Sequence, residues 1–116
     1  MKNKSFNKRL GFALSGLFVT LKQENSFRFQ VFAAISVLAL LFFIKPSPVW
    51  WALVVVMIVM VLMAELINTA LEELCDYIQP EHHQVIGKIK DIGAAAVLVA
   101  SIGSVIVAIL LIVNWW

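Results

Sequence analysis

The residues best suited to chemistry lie between Ala64 and Asp76, where polar groups follow directly on a long apolar run. Glu65, Asn68, Glu72 and Asp76 are offset by zero, three, seven and eleven residues, so at about 3.6 residues per turn they share one face of a helix. Three carboxylates and an amide then form one polar stripe, suited to holding cations or relaying protons. A carboxylate at the centre of a membrane helix costs about 2.5–3.5 kcal/mol on insertion scales, so Glu65 is expected to face other helices or a polar cleft rather than lipid. The plainest alternative is that Glu72, Glu73 and Asp76 are a solvated helix end, and Glu73 reads that way. That alternative is weaker for Glu65 and Asn68, which sit at the edge of the apolar run itself.

Two further clusters flank this stripe. Glu24 and Arg28, in Lys22-Gln-Glu-Asn-Ser-Phe-Arg28, stand at helical spacing; as an isolated ion pair they would contribute only about 0.2–0.5 kcal/mol. Lys90 and Asp91 open a long apolar segment, where a lysine reaching back to the membrane surface is the simplest reading. His82 and His83 invite a metal-site reading, but adjacent residues point to different faces and no cysteine or third histidine completes a ligand set. A surface turn after Pro80 is the default for them. The chain has no G-x-x-x-x-G-K-[ST] loop, protein-kinase signature set, Ser-His-Asp arrangement or paired CxxC. A nucleotide, if used, would need its phosphates neutralised by carboxylate-bound Mg2+ and lysine.

The elements that must position these groups follow from composition. The 116 residues are 62% hydrophobic and 14% charged, too apolar for a water-soluble domain, in which the apolar share is about half. A formal charge of +2, without basic residues interleaved with exposed aromatics, gives no reason to invoke nucleic acid. The lone Cys75 excludes an intrachain disulfide, and the broken segment after Lys2, Lys4, Lys8 and Arg9 does not read as a signal peptide. The expected architecture is all-α and integral to a membrane: a single domain over 1–116, with an amphipathic surface helix at 5–24 and transmembrane helices at 27–45, 49–76 and 85–114. Phe6, Leu10, Leu14, Leu17 and Leu21 form the apolar stripe of the surface helix, with Lys8 and Arg9 off it. The two shorter apolar runs must extend into flanking polar residues. Lys2, Lys4, Lys8, Arg9, Lys22 and Arg28 precede the first span, against Lys45 alone in the first loop, which places the N-terminus and the Lys88–Lys90 loop in the cytoplasm. Gly93, Ala94, Ala95, Ala96, Ala100 and Gly103 favour close helix packing in a bundle or oligomer.

With these residues in order, the chain resembles the small bacterial membrane kinases comprising diacylglycerol kinase and undecaprenol kinase. The resemblance runs over nearly the whole chain and is carried by Glu65-Leu-Ile-Asn-Thr-Ala-Leu-Glu72, Asp76, Glu81-His-His83 and Lys90-Asp-Ile-Gly-Ala-Ala-Ala-Val97. It implies transfer of the γ-phosphate of Mg-ATP to the hydroxyl of a membrane lipid, in a homotrimer of the bacterial inner membrane whose neighbouring subunits complete each site. Carried over by position, it implies Glu65 as the general base beside Asn68, and Glu24 and Glu72 as holders of the Mg2+. Lys90 and Asp91 would position the nucleotide, with Asp76 and His83 near it; Glu65, Arg28, Gln30 and Ala94 would meet the lipid. Gln30 and Ala94 stand where the diacylglycerol enzyme has glutamate and serine, and the first helix lacks that enzyme's tryptophan, which tilts the expected acceptor towards undecaprenol. The alternative that the residues alone leave open is a non-catalytic scaffold or ion-path subunit, with Glu65 and Asp76 carrying protons or cations.

Overall fold

A computed structural model describes residues 5–115, which form α1 (Phe6–Gln23), α2 (Asn25–Ile44), α3 (Pro48–Ile78) and α4 (Gln84–Trp115) and, among the described residues, no strand. Lys2, Lys4 and Trp116 lie outside the described residues. Helix α1 starts where Ser5 Oγ accepts the Lys8 N–H at 3.4 Å. It stops at Glu24, whose extended backbone (φ −107°, ψ 112°) turns the chain into α2 within one residue.

Arg28 braces that elbow. Its Nη1 donates to the carbonyls of Leu21 (3.1 Å) and Lys22 (2.6 Å), and its Nη2 to Asn25 Oδ1. The two carbonyls are among those a helix end leaves without intrahelical partners, so the guanidinium completes α1 while belonging to α2. The Glu24–Arg28 ion pair that spacing permits is not made: Lys90–Asp76 is the one ion pair among the described residues.

At its other end α2 closes on Lys45, a left-handed residue (φ 53°, ψ 55°) whose N–H donates to the Leu41 carbonyl. Pro48 then occupies the first turn of α3, where its missing N–H costs nothing. Trp51 packs edge-on against Phe42, with ring centroids 5.0 Å apart, and joins the small core of Leu41, Val54 and Leu111.

The main seam runs between α3 and α4. Val54, Val61, Glu65 and Cys75 are buried on α3, and Gly93, Ala100 and Leu111 on α4, with successive members of each set about one, two or three turns apart. Helices α2, α3 and α4, with 20, 31 and 32 residues, are long and apolar enough to cross a membrane. Only 11%, 17% and 11% of their most apolar windows are buried within the chain, which leaves the rest for lipid or other subunits. This is a multi-pass membrane protein. Since about 20 residues cross the hydrocarbon, α3 overshoots it by about 15 Å and carries its polar C-terminal turns out of the apolar layer.

Candidate active site

The polar stripe of α3 emerges at the end of the bundle where α1, the start of α2 and the start of α4 converge, and each of its members takes a different partner. Glu65 is only 5% exposed, and its Oε1 accepts a 2.9 Å hydrogen bond from Ser26 Oγ in the first turn of α2. One turn further on, Asn68 Nδ2 donates to Glu72 Oε1 at 2.7 Å. Asp76 Oδ1 receives Lys90 Nζ at 2.5 Å, tying the end of α3 to the start of α4. Glu72 is exposed, as are both members of the Lys90–Asp76 pair by their side chains, so screening by water limits what that pair adds to stability.

Gly93 explains how Asn68 fits. A Cβ at that position would overlap Asn68 Oδ1, which is buried and has no hydrogen-bond partner among the described residues. The bare Gly93 backbone therefore sets the distance between the helices beside the stripe. At Gly103 a Cβ would instead meet the Met57 methyl at 2.8 Å, and a thioether end swings aside readily. Gly93→Ala is accordingly expected to destabilise the detergent-solubilised protein by about 1–3 kcal/mol and to depress activity through Asn68, whereas Gly103→Ala shifts stability by less than about 1 kcal/mol. Thermal melts of the two variants, read beside wild type, check the contrast; equal melting temperatures for the pair would remove the role given to Gly93.

Two recesses border the site. A groove of about 230 Å³ between α2 and α4, floored by α3, is lined by Gln30, Ala33, Ala34, Val61, Ser101 and Ser104 among others. Two of its lining residues are one turn from the Ser26–Glu65 bond: Gln30 lies one turn beyond Ser26, and Val61 one turn before Glu65. A wider cleft of about 720 Å³ separates α1 from α3 and is lined by Ser15, Thr20, Gln23, Glu24, Thr69 and Glu73, with apolar neighbours.

Glu24 thus shares a cleft with Glu73, not with Glu72, which faces Asn68. Within one chain the two carboxylates expected to share Mg2+ are not seen to line a common recess, and no group of three or more His, Cys, Asp or Glu side chains gathers among the described residues. His83 Nδ1 accepts the Val85 N–H at 3.1 Å and so caps the start of α4. Asp91 lines a shallow recess with His82, Gln84 and Lys88, and Ala94 is exposed on α4. Ser26 and the cleft position of Glu73 are not evident from residue types; the available signal for Ser26 is a small polar residue one turn ahead of Gln30, at the entrance to an apolar span.

The fold and site define a multi-pass helical membrane protein that carries Glu65, Asn68, Glu72, Asp76 and Lys90 at one end of its bundle. The family model described as prokaryotic diacylglycerol kinase matches residues 11–112, and the chain belongs to that family. It is 34% identical over 89 residues to a diacylglycerol kinase of Haemophilus influenzae, covering 77% of this chain and 75% of that one. It is 33% identical over 96 residues to an undecaprenol kinase of Bacillus subtilis (83% and 78% covered), and 30% identical over 99 residues to a diacylglycerol kinase of Escherichia coli (85% and 81% covered). The protein is therefore a lipid kinase.

Proposed function

We propose that the chain transfers the γ-phosphate of Mg-ATP to the hydroxyl of a membrane lipid alcohol, with Glu65 taking the hydroxyl proton. The observation that carries this reading is the burial of Glu65, a carboxylate only 5% exposed, one helical turn from Val61 in the lining of a mostly apolar groove that could take the tail of a lipid alcohol. An alcohol is a poor nucleophile until its proton is drawn away, and a positioned base contributes about 10²–10⁴-fold to rate. As the new O–P bond forms, the proton passes to Glu65 and the bond to the β-phosphate oxygen breaks, releasing ADP.

The donor set suits Mg2+ that arrives with its nucleotide. This ion takes one or two protein carboxylates and completes its octahedron with phosphate oxygens and water, so a three-carboxylate cage is not required. Glu72 is exposed and engages Asn68 through Oε1, which leaves its second oxygen for that task, and Glu24, at the α1–α2 elbow, would supply the other carboxylate. When bound, Mg2+ neutralises charge on the transferred phosphoryl group. Lys90, held by Asp76, adds a cation on the same side, and Asp91 and His83 border the start of α4 where the rest of the nucleotide would lie.

Glu24 and Glu72 come together in this reading across a subunit boundary, in a homotrimer that also covers part of the exposed helix surfaces. The small share of each span buried within the chain supports that assembly. Helix α1 has no buried residue and exposes Phe6, Leu10, Leu14, Leu17 and Leu21, as expected of a helix lying in the cytoplasmic membrane interface. The cytoplasmic N-terminus follows from its cations.

For the acceptor we favour a polyprenol. Gln30 in the lining of the groove offers an uncharged amide to a bare alcohol, and the groove shares Val37, Ile58 and Ser104 with a second recess that reaches Ile44 and Ile112, a track suited to one extended chain. Purified protein given Mg-ATP with undecaprenol and diacylglycerol in parallel micelles tests the proposal. Preferential phosphorylation of undecaprenol is expected; preference for diacylglycerol would reverse the acceptor choice, and transfer to neither would remove the activity.

A further inference from the structure

We propose that Ser26 is a positioning residue for Glu65, holding one carboxylate oxygen so that the other is presented to the acceptor hydroxyl. The inference rests on the reading of Glu65 as proton acceptor and extends it to a residue on a different helix. A buried carboxylate needs hydrogen-bond partners, and Ser26 Oγ, at 2.9 Å from Oε1, is the side-chain donor that Glu65 has among the described residues. Among the described residues Oε2 takes no hydrogen bond.

The placement of Ser26 in the first turn of α2 is what frees its hydroxyl. Thr20, Ser36 and Ser104 sit inside helices, and each donates to the carbonyl four residues earlier: Gly16, Phe32 and Ala100. Helix α2 begins at Asn25, so the residue four before Ser26 is Lys22, which belongs to α1 and whose carbonyl receives Arg28. Ser26 has no helical carbonyl to satisfy it and turns to α3 instead. Its neighbour Phe27 is 4% exposed, and Arg28 locks the elbow on the other side, so the turn that presents the hydroxyl is pinned by both. A glutamate has three side-chain torsions, and a second contact that restricts them reduces the reorganisation needed for proton transfer.

The test is kinetic. Ser26→Ala in the full-length protein, assayed with Mg-ATP and the lipid alcohol, is expected to lower kcat on the order of tenfold while both KM values stay within about twofold. Ser26→Thr retains the hydroxyl and should keep most of the rate; Ser26→Val, near-isosteric with the threonine variant, should behave as alanine, which keeps the comparison valid even where Ser26→Ala alters stability. In a Glu65→Asp background, whose carboxylate is one methylene short of the bond, Ser26→Val is expected to cost little more than the aspartate alone. Valine matching threonine, or the full tenfold loss reappearing with Glu65→Asp, would overturn the inference while leaving Glu65 as the base. Unimpaired transfer by Glu65→Gln would overturn both.

Discussion

Replacing Glu65 with glutamine is expected to reduce phosphate transfer to lipid by about 10²–10⁴-fold while the protein remains folded. The two side chains have the same length and shape, and the glutamine carbonyl still accepts the Ser26 hydroxyl, so the α2–α3 contact persists. At 5% exposure a neutral amide is also cheaper to bury than a carboxylate, and the melting temperature should hold or rise. What disappears is the capacity to take a proton. Labelled phosphate transferred from ATP to lipid in membranes, measured beside a thermal melt, separates the two effects. Transfer at the wild-type rate would show that the proton leaves by another route; a collapsed melt would reassign Glu65 to structure.

The second large effect is expected at Glu72. Glu72→Gln should lower kcat/KM for Mg-ATP on the order of 10²-fold, with part of the loss recovered at raised Mg2+, because one anionic oxygen is removed from where phosphate charge must be neutralised. The amide can still accept from Asn68, so the turn keeps its internal bond. Glu73→Gln supplies the decisive comparison, since Glu73 lines the α1–α3 cleft with Glu24 whereas Glu72 does not. Should Glu73→Gln carry the larger, Mg-dependent loss, the carboxylate partnering Glu24 would be Glu73 and the proposed pairing with Glu72 would be wrong.

These two glutamates show where linear information runs out. Adjacent residues on a helix are rotated by about 100°, so one of Glu72 and Glu73 faces the stripe and the other does not. The spacing identifies Glu72 as the stripe member, and its bond with Asn68 agrees with that face. The spacing is silent about α1, because nothing in a one-dimensional pattern states which face of α3 a preceding helix will cover. Only the packed chain brings Glu73 opposite Glu24.

Arg28 carries the same lesson. Its position four residues after Glu24 suggests an ion pair, but Glu24 is the residue at which α1 breaks, so the two do not share a regular helical turn. The unpaired carbonyls of Leu21 and Lys22 lie within reach and capture the guanidinium instead.

By itself the sequence determined that the protein is helical and membrane-embedded, because uninterrupted apolar runs and helical periodicity are local properties of the chain, and the order and spacing of its motifs carried the likeness to a lipid-kinase family. It also determined that Glu65 could not be left facing lipid, since the cost of burying a carboxylate does not depend on the fold. Tertiary structure alone decided which partner each polar side chain found: Ser26 for Glu65, Lys90 for Asp76, and the bare backbone of Gly93 for Asn68. Those pairings join residues 39, 14 and 25 positions apart. They depend on how three helices rotate and slide against one another, and many registers would bury the same apolar surface equally well.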